Sequence, residues 1–395
     1  MAEDVAVSVP ERIAGGLVGL AVGDALGSTL EFLSTEEVRR RFGQDHREMC
    51  GGGPFGWRPG QGTDDTDLAW VVAKTYLDGY SLRRAAEGML AWYDGNPVDV
   101  GATTAAALSE LRRSGDPRRS GEVAARQMPL AAGNGSLMRC LATGLVRCDP
   151  GVRRREAADL SAITHADPRA VDACVAYVEL VAELVRGANP QAAIEAVVAD
   201  ASLRSDVRRT IADAPGCNAD DLDTSGFVLA TLSVAVWALM RPGSFEDVLV
   251  EVVNLGGDAD TTGAVAGGLL GARHGVGAIP MRWIEALEYG PTLLAAAPHL
   301  AALRGHDPAE GFSNDMSGES RAALPVEAAA PARPRGQVPL CESCGEADVE
   351  VLCECCGQEL CAGCWGDGDQ VCGSCSFRGW EERPVVNVEV RAGIL

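Results

Sequence analysis

Two segments of the chain carry a glycine at every fourth position, and this spacing constrains the fold more than any other feature. In an α-helix such glycines line one side and expose the backbone there. Each glycine inside a helix costs up to about 1 kcal/mol relative to alanine, so two such rows imply a compensating gain, most simply close packing of two backbones. We therefore expect the two helices to lie against each other. The rows are Gly15, Gly19, Gly23 and Gly27, and Gly263, Gly267 and Gly271.

The second glycine row follows an acidic turn that contains Asp258 and Asp260. On a helix these two carboxylates would diverge by about 200°, whereas in a turn they can converge. Two glycines supply the backbone freedom for the turn, and Thr261 and Thr262 are predicted to cap a helix over 264–272. The competing interpretation is that the acids only cap the helix and interact with its dipole.

A second stretch of the same design, residues 60–67, favours the metal-binding interpretation. It again has glycines, then acids interleaved with threonines, before a helical run over 68–76. If the turns meet, four carboxylates form one cluster: Asp64, Asp65, Asp258 and Asp260. Two divalent cations would match that charge, and oxygen ligands suit Mg²⁺ or Mn²⁺ rather than zinc. The pattern is typical of a two-metal hydrolase.

Packing of the two glycine rows would also bring Asp24 and Glu31 close to this cluster. Asp24 lies inside the first predicted helix, 10–27, and Glu31 follows it. A buried hydrogen-bonding role for Asp24 is an equally good interpretation.

Three further turns contain candidate functional residues. Asp99 precedes an alanine-rich helix and is either a cap or a ligand-binding acid. The turn 133–139, GNGSLMR, is a place where backbone N–H groups can receive phosphate, although such turns often have no ligand. His165 lies beside a proline at a helix start, where it can point into a cleft.

The composition predicts an all-α body. Hydrophobic residues make up 47% of the sequence but aromatic residues only 5%, and period-two alternation of β-branched residues is scarce. The net charge of -22 disfavours binding to nucleic acid or anionic membranes. The apolar run 224–240 is interpreted as a buried helix, not a membrane span. With no visible secretory signal, we expect a cytoplasmic protein. Other predicted helices cover 34–41, 81–93, 171–185, 190–201, 227–239 and 244–253.

Nine of the 14 cysteines lie between Cys341 and Cys375. Eight of them form four C-x-x-C pairs, which predict two Cys₄ zinc sites. Disulfides or redox chemistry are the alternative, disfavoured in a reducing compartment. Only four residues separate the second and third pairs, which favours pairing the first with the third and the second with the fourth. The predicted ligands are Cys341, Cys344, Cys353, Cys356, Cys361, Cys364, Cys372 and Cys375.

This zinc module has no basic face, because the segment from Pro339 to Phe377 contains eight acidic residues and no lysine or arginine. A protein-docking or structural role therefore fits better than nucleic-acid binding. The predicted domains are a catalytic domain over 1–305, a flexible linker over 306–338, the zinc module over 339–378 and a tail over 379–395.

The body of the chain, from about Ile13 to Gly275, resembles the ADP-ribosylglycohydrolase family, which includes the enzyme that reactivates dinitrogenase reductase. Six motifs occur in the family's order: GLAVGDALGSTLEF, GQGTDDTD, NPVDVGATTAAAL, GNGSLMR, THADPRA and GGDADTTGAVAGGLLGA. The resemblance implies an all-α bundle with a dinuclear Mg²⁺ or Mn²⁺ centre. The zinc module is not part of the family's usual core.

The resemblance also implies roles for individual residues. The metal ligands would be Thr63, Asp64, Asp65, Asp258, Asp260 and Thr261. Glu31 resembles the mobile acid beside the metals, and Asp99 the residue that orients the distal ribose; either is a candidate general base. Asn134, Gly135, Ser136 and His165 resemble the contacts to ADP-ribose.

These features together predict a metal-dependent hydrolase that releases ADP-ribose from an N- or O-glycosidic linkage. Arginine on a modified protein is the favoured acceptor, and serine, a nucleic acid or a small molecule are the other acceptors. The alternatives are an ADP-ribose-binding protein with weak catalysis, or an interaction protein that recruits a partner through its zinc module. Four clustered acids would be costly to retain without metal, which argues against loss of catalysis.

Overall fold

The computed structural model describes residues 7–43, 45–128 and 132–304, together with the backbone of 349–352 and 359–361. The chain divides into two units, residues 1–313 and 314–395. The helices of the first unit are α1 (Val9–Gly27), α2 (Thr35–Phe42), α3 (Asp64–Leu77), α4 (Leu82–Asp94), α5 (Ala102–Ser114), α6 (Pro117–Gln127), α7 (Leu141–Val146), α8 (Pro150–Ala162), α9 (Pro168–Val185), α10 (Pro190–Val198), α11 (Ser205–Asp213), α12 (Val228–Met240), α13 (Phe245–Val253), α14 (Ala259–His274), α15 (Met281–Ala286) and α16 (Gly290–Leu303).

Short 3₁₀ helices lie at Ala214–Gly216, Ala219–Asp221 and Val276–Ala278. Among residues 7–304 that the structure describes, extended pairing is limited to isolated bridges. The prediction of a helical body is therefore confirmed. In the same described residues, no helix combines the length and the apolar character needed to cross a membrane.

Local sequence explains where many of these helices begin. Four of them start with the same pair, an Asp or Asn cap followed by proline at the first helical position. The cap side chain accepts a hydrogen bond from a backbone N–H that the helix cannot satisfy, and proline fixes a helical φ without needing its missing N–H. Helices α1 and α2 instead begin with capping boxes formed by Ser8 with Glu11 and by Ser34 with Glu37.

The two glycine rows meet, as the sequence predicts. Helices α1 and α14 run antiparallel, and a Cβ atom added at Gly15, Gly19 or Gly23 would lie closer than 3.0 Å to a backbone atom of α14. The reciprocal glycines of α14 are equally close to the backbone of α1. Both helices are buried along nearly their whole length. Only glycine permits this separation, and the contact fixes the register of the two helices.

The prediction that Thr261 and Thr262 cap α14 is wrong. The helix begins at Ala259 with Asp258 as its N-cap, so both threonines lie inside its first turn. The Asp260 carboxylate accepts the N–H of Thr261 at 2.9 Å, and Thr262 Oγ1 donates to the carbonyl oxygen of Asp258 at 2.8 Å. These bonds let the helix start at the acids instead of after them.

In the second unit, strands β1 (Val349–Leu352) and β2 (Glu359–Cys361) pair antiparallel, with Val349 opposite Cys361 and Leu352 opposite Glu359. The other predicted zinc ligands and the predicted linker lie outside the described residues. The zinc sites and the domain boundaries therefore stay predictions.

Candidate metal centre

Two loops that are hydrogen-bonded to each other hold the acidic turn before α14. The segment after α1 and the segment before α14 exchange backbone hydrogen bonds: Phe32 donates to Gly257 at 2.7 Å, and Gly257 donates to Leu33 at 2.7 Å. Asp258 then donates its N–H to the carbonyl oxygen of Thr224 at 2.8 Å. Gly257 has φ 69°, and a side chain there would collide with Thr224. The turn is therefore fixed before the helix begins.

This arrangement brings Glu31 to the acids of the turn. One carboxylate oxygen from each of Glu31, Asp258 and Asp260 lies within 4.8 Å of the others. Glu31 is 5% exposed, and its Oε2 atom has no hydrogen-bond partner among the described residues. The convergence of Asp258 and Asp260 follows from the non-helical backbone of the cap residue, with φ −84° and ψ 66°.

The start of α3 lies beside the start of α14. Thr261 Oγ1 donates to Asp65 Oδ2 at 3.1 Å, and the backbone N–H of Asp65 donates to Thr63 Oγ1 at 3.2 Å. Thr63 is the N-cap of α3, and Asp64 and Asp65 form its first turn. The other oxygen of Asp65 is buried without a hydrogen-bond partner. The two predicted acidic turns therefore meet, although 196 positions separate Asp65 from Thr261.

Asp24, a fully buried residue of α1, connects the glycine contact to the start of α3. Its Oδ2 atom accepts the backbone N–H groups of Thr63 and Thr66 at 2.9 and 3.0 Å, and also the hydroxyl of Thr66. Its Oδ1 atom is buried without a partner. Of the two interpretations from sequence, the structure supports a hydrogen-bonding role that positions the acidic turn.

Burial of so many carboxylates in one place shifts their proton affinities. Burial, reinforced by Asp99, Asp258 and Asp64, raises the pKa of Glu31 to about 9. Burial likewise holds the pKa of Asp64, Asp65 and Asp260 well above the usual range, with neighbouring carboxylates adding to the effect. The pKa of Asp258 is raised less, because Asn134 donates a hydrogen bond to it. A cluster of this kind stays ionised only if cations balance it.

Two further aspartates, Asp99 and Asp67, differ in their relation to this acidic cluster. Asp99 is half-buried; burial raises its pKa to about 6, and Asp258 adds to the shift. The charge of Asp258 is thus felt at Asp99. Asp67 comes from the same acidic stretch as Asp64, but its carboxylate accepts hydrogen bonds from Trp92 Nε1 at 3.0 Å and Tyr289 Oη at 2.8 Å. Its oxygens are thus engaged elsewhere.

Asn134 contacts the acidic cluster itself. Its Nδ2 atom donates to Asp258 Oδ2 at 2.7 Å and to Thr231 Oγ1 at 2.9 Å. Thr231 and Thr224 both support Asp258, and sequence analysis identified neither. The sequence marks these two threonines only by their position near the start of the apolar helix α12, and a threonine that merely caps a helix would occupy a similar position.

The other predicted ligand contacts meet at the turn 133–136. A Cβ atom at Gly135 would lie 2.8 Å from His165 Cε1 and 3.2 Å from Nε2, so the imidazole edge packs against this turn. Ser136 is buried, and its hydroxyl lies 2.9 Å from Ser161 Oγ. Ser161 Oγ also lies 3.0 Å from the carbonyl oxygen of His165. The turn and the histidine form one hydrogen-bonded unit beside Asn134.

Known proteins are similar to this chain in sequence and in fold. Residues 6–309 match the family model described as ADP-ribosylglycohydrolase. The chain is 32% identical over 289 residues to the ADP-ribosyl-[dinitrogen reductase] glycohydrolase of Rhodospirillum rubrum, a match that covers 71% of this chain and 92% of that protein. It is also 32% identical over 304 residues to the ADP-ribosylarginine hydrolase Tri1 of Pseudomonas putida (strain GB-1), covering 73% and 78% of the two chains.

A solved structure described as an ADP-ribosylglycohydrolase-related protein complex has a similar fold, with a TM-score of 0.64 and 34% sequence identity. The similarity covers 75% of this chain and 99% of that chain. The relatives therefore match the helical body.

Proposed function

Because the chain belongs to the ADP-ribosylglycohydrolase family, we propose that it hydrolyses the bond between ADP-ribose and an arginine side chain of a modified protein. The observation that carries the proposal is the convergence of Glu31, Asp258 and Asp260 within 4.8 Å at the joined helix starts. Arginine is the favoured acceptor because a relative at 32% identity is an ADP-ribosylarginine hydrolase. Serine-linked, nucleic-acid-linked and small-molecule conjugates are the other acceptors to compare.

The residues at the two helix starts fit a pair of divalent cations. Asp24, Glu31 and Asp65 each have a buried carboxylate oxygen without a hydrogen-bond partner among the described residues. All the donor atoms are oxygens, the ligands that Mg²⁺ and Mn²⁺ prefer. We propose that the two ions are held by Thr63, Asp64, Asp65, Asp258, Asp260 and Thr261. When bound, they would supply positive charge for vicinal ribose hydroxyls and for a water molecule.

The protein's own groups orient the reaction. Asn134 fixes the Asp258 carboxylate through a 2.7 Å hydrogen bond, and Asp24 fixes the start of α3. In the hydrolysis, a water oxygen forms the new bond to the anomeric carbon, the bond from that carbon to the arginine nitrogen breaks, and this nitrogen takes up a proton. Glu31 and Asp99 are the two carboxylates that we propose accept the water proton or supply the nitrogen with one. Rate profiles against pH for Glu31→Gln and Asp99→Asn would separate the two roles.

Release of free ADP-ribose from an arginine-ADP-ribosylated protein tests the proposal. We expect release with Mg²⁺ or Mn²⁺, none with EDTA, and none from the Asp258→Ala/Asp260→Ala double variant. Activity of that double variant equal to wild type would contradict the proposal. Binding of ADP-ribose without release from any conjugate would instead indicate a binding protein.

We also propose that the C-terminal cysteine pairs bind two zinc ions in the cytoplasm and that this module recruits a protein partner. Support comes from the four C-x-x-C pairs and the absence of basic residues between positions 339 and 377. Metal analysis of the purified full chain should find two zinc ions per molecule. Deletion of residues 339–395 should leave hydrolysis of a small substrate intact and reduce action on a protein target. Equal loss of both activities would contradict a targeting role.

A further inference from the structure

Arg139 is a buried cation that forms no ion pair with a carboxylate among the residues that the structure describes. It is 1% exposed, and within that part of the chain its guanidinium donates hydrogen bonds to three neutral acceptors: the Gly135 carbonyl at 2.7 Å, Thr164 Oγ1 at 2.7 Å and the Leu160 carbonyl at 3.3 Å. Its Nε atom has no acceptor among the described residues. Burying a charge that is not directly paired is costly, so this arginine demands an explanation beyond packing.

The hydrogen bonds of Arg139 lead to His165. Thr164 Oγ1 accepts from Arg139 and lies 2.7 Å from His165 Nδ1. Thr164 is fully buried, and within the described residues its hydroxyl hydrogen has no acceptor other than Nδ1. The arrangement that gives both the Thr164 hydroxyl hydrogen and Nδ1 a partner has Thr164 donating to Nδ1, which leaves the imidazole hydrogen on Nε2. Burial lowers the pKa of His165 to about 3, and the positive charge of Arg139 adds to the shift by opposing a second proton on the ring.

The protonated nitrogen faces the glycine turn. Nε2 would lie 3.4 Å from a Cβ at Gly133 and 3.2 Å from one at Gly135, and it has no hydrogen-bond partner among the described residues. Arg139 donates to the carbonyl oxygen of the same Gly135. A hydrogen-bond donor and a buried guanidinium thus act on one short turn, which suits an anionic oxygen.

We infer that Arg139 is a positioning residue: through Thr164 it holds His165 as the tautomer protonated at Nε2, so that this hydrogen is donated to an anionic oxygen of the ADP-ribosyl ligand at the 133–136 turn. The ligand's identity rests on the proposed function. The hydrogen-bonded chain from Arg139 does not, since it is a property of the protein alone. Successive hydrogen bonds of this kind also polarise and strengthen one another.

The tautomer can be read directly from the full chain. The protein has five histidines, so long-range ¹H–¹⁵N spectra of ¹⁵N-histidine-labelled protein, with His165→Ala to assign the signal, will distinguish the ring nitrogens. We expect protonated Nε2 and unprotonated Nδ1 in the ligand-free wild type. A signal from protonated Nδ1, or an equal mixture of tautomers, would overturn the inference without any variant.

Two variants of Thr164 provide a matched comparison. Thr164→Ser keeps the hydroxyl and should preserve the tautomer and the affinity for ADP-ribose in Mg²⁺. Thr164→Val has a similar shape without the hydroxyl, so we expect a mixture of tautomers and a Kd for ADP-ribose raised about five- to tenfold. Equal behaviour of the Ser and Val variants would contradict the role of Thr164.

Arg139→Lys tests the first link of the chain, because lysine keeps the charge but lacks the guanidinium fork. A folded Arg139→Lys protein with an unchanged tautomer and an unchanged Kd would remove Arg139 from the inference. If this variant does not fold, the wild-type spectrum and the Thr164 pair still decide. Neither readout involves bond cleavage, so failure of the proposed hydrolysis is recognised separately, by the release assay.

Discussion

The Asp24 carboxylate lies 2.9 Å from the backbone nitrogen of Thr63, the residue that caps the first acidic helix. The aspartate belongs to the helix of the glycine contact, and the threonine belongs to the predicted metal centre. This hydrogen bond, with those from Thr66, therefore transmits the position of α1 to Asp64 and Asp65. The two acidic turns are held together by the core and not only by the ions that they are proposed to bind.

Asp24→Ala should damage both stability and activity. The change leaves the N–H groups of Thr63 and Thr66 buried without an acceptor, at a cost of about 3 kcal/mol. Urea unfolding and initial rates of ADP-ribose release measure the two effects. Asp24→Asn retains one acceptor oxygen and should lose less in each measurement. If both variants unfold at the wild-type urea concentration, the structural role is refuted.

Asp258→Asn and Asp260→Asn should lower hydrolysis at least about 100-fold while leaving the EDTA-treated protein as stable as wild type or more stable. Each change removes a ligand but also a buried negative charge. Release assays should show a lower rate of hydrolysis, and thermal unfolding in EDTA should show an unchanged or higher Tm. Asp213→Asn, an exposed acid at the end of α11, is the control and should change neither value. Lower stability of both site variants in EDTA would contradict the electrostatic argument.

Asn134→Ala should weaken metal binding by about 10- to 100-fold, because the 2.7 Å hydrogen bond that orients Asp258 is lost. The measurement is the Mg²⁺ concentration at half-maximal rate. A lower rate at saturating Mg²⁺, with no change in that concentration, would contradict a role of Asn134 in metal binding and favour the contact to ADP-ribose that the family resemblance implies.

The helix contact predicts a sharp difference between two glycines of α1. Gly23→Ala would drive a methyl group into the Gly263 carbonyl, which is backbone and cannot move aside, so a loss of about 3 kcal/mol or more is expected. A methyl group at Gly16 would meet the flexible Leu145 side chain at 3.1 Å and the Gly268 carbonyl oxygen at an ordinary contact distance of 3.6 Å, so Gly16→Ala should change stability by less than about 1 kcal/mol. Denaturant unfolding compares them. Similar losses in both variants would contradict the argument that close approach of the two backbones requires glycine at position 23.

Stability of the metal-free protein should fall as pH rises. Burial raises the pKa of Glu31 to about 9, whereas the pKa of a glutamate in the unfolded chain is about 4.3. Between these two pH values the folded state retains a proton that the unfolded state releases. Folding is then progressively disfavoured at higher pH. Tm measured in EDTA from about pH 5 to about pH 8.5 should decrease, and excess Mg²⁺ should reduce the slope. A Tm in EDTA that rises with pH would contradict the shift.

Sequence alone predicted the features that local or repeated patterns encode. The start of α10 at Pro190 was predicted from sequence, and the α1–α14 contact follows from the glycine spacing. The meeting of the two acidic turns was predicted because each is a copy of the other. Each of these patterns can be recognised within a short stretch of sequence.

Contacts between distant residues were beyond its reach. The predicted contact of Asn134 with ADP-ribose stays a prediction, and the hydrogen bond from its amide to Asp258, 124 positions away, had no local signal. Arg139 was one more residue of a turn, and nothing nearby marks it as the buried cation behind His165. The cap of α14 was misplaced because threonines are common caps, whereas the hydrogen bond from the Thr262 N–H to the Asp258 carbonyl oxygen shows that the helix starts earlier.

The antiparallel glycine contact has a consequence for how this chain can vary in length. Twelve positions separate Gly15 from Gly27, and twelve separate Ala259 from Gly271, which face them across the contact. One inserted or deleted residue in either helix would rotate everything beyond it by about 100° and turn the glycines away from the partner backbone. Loops elsewhere can accept insertions, but the lengths of these two helical stretches can change only together.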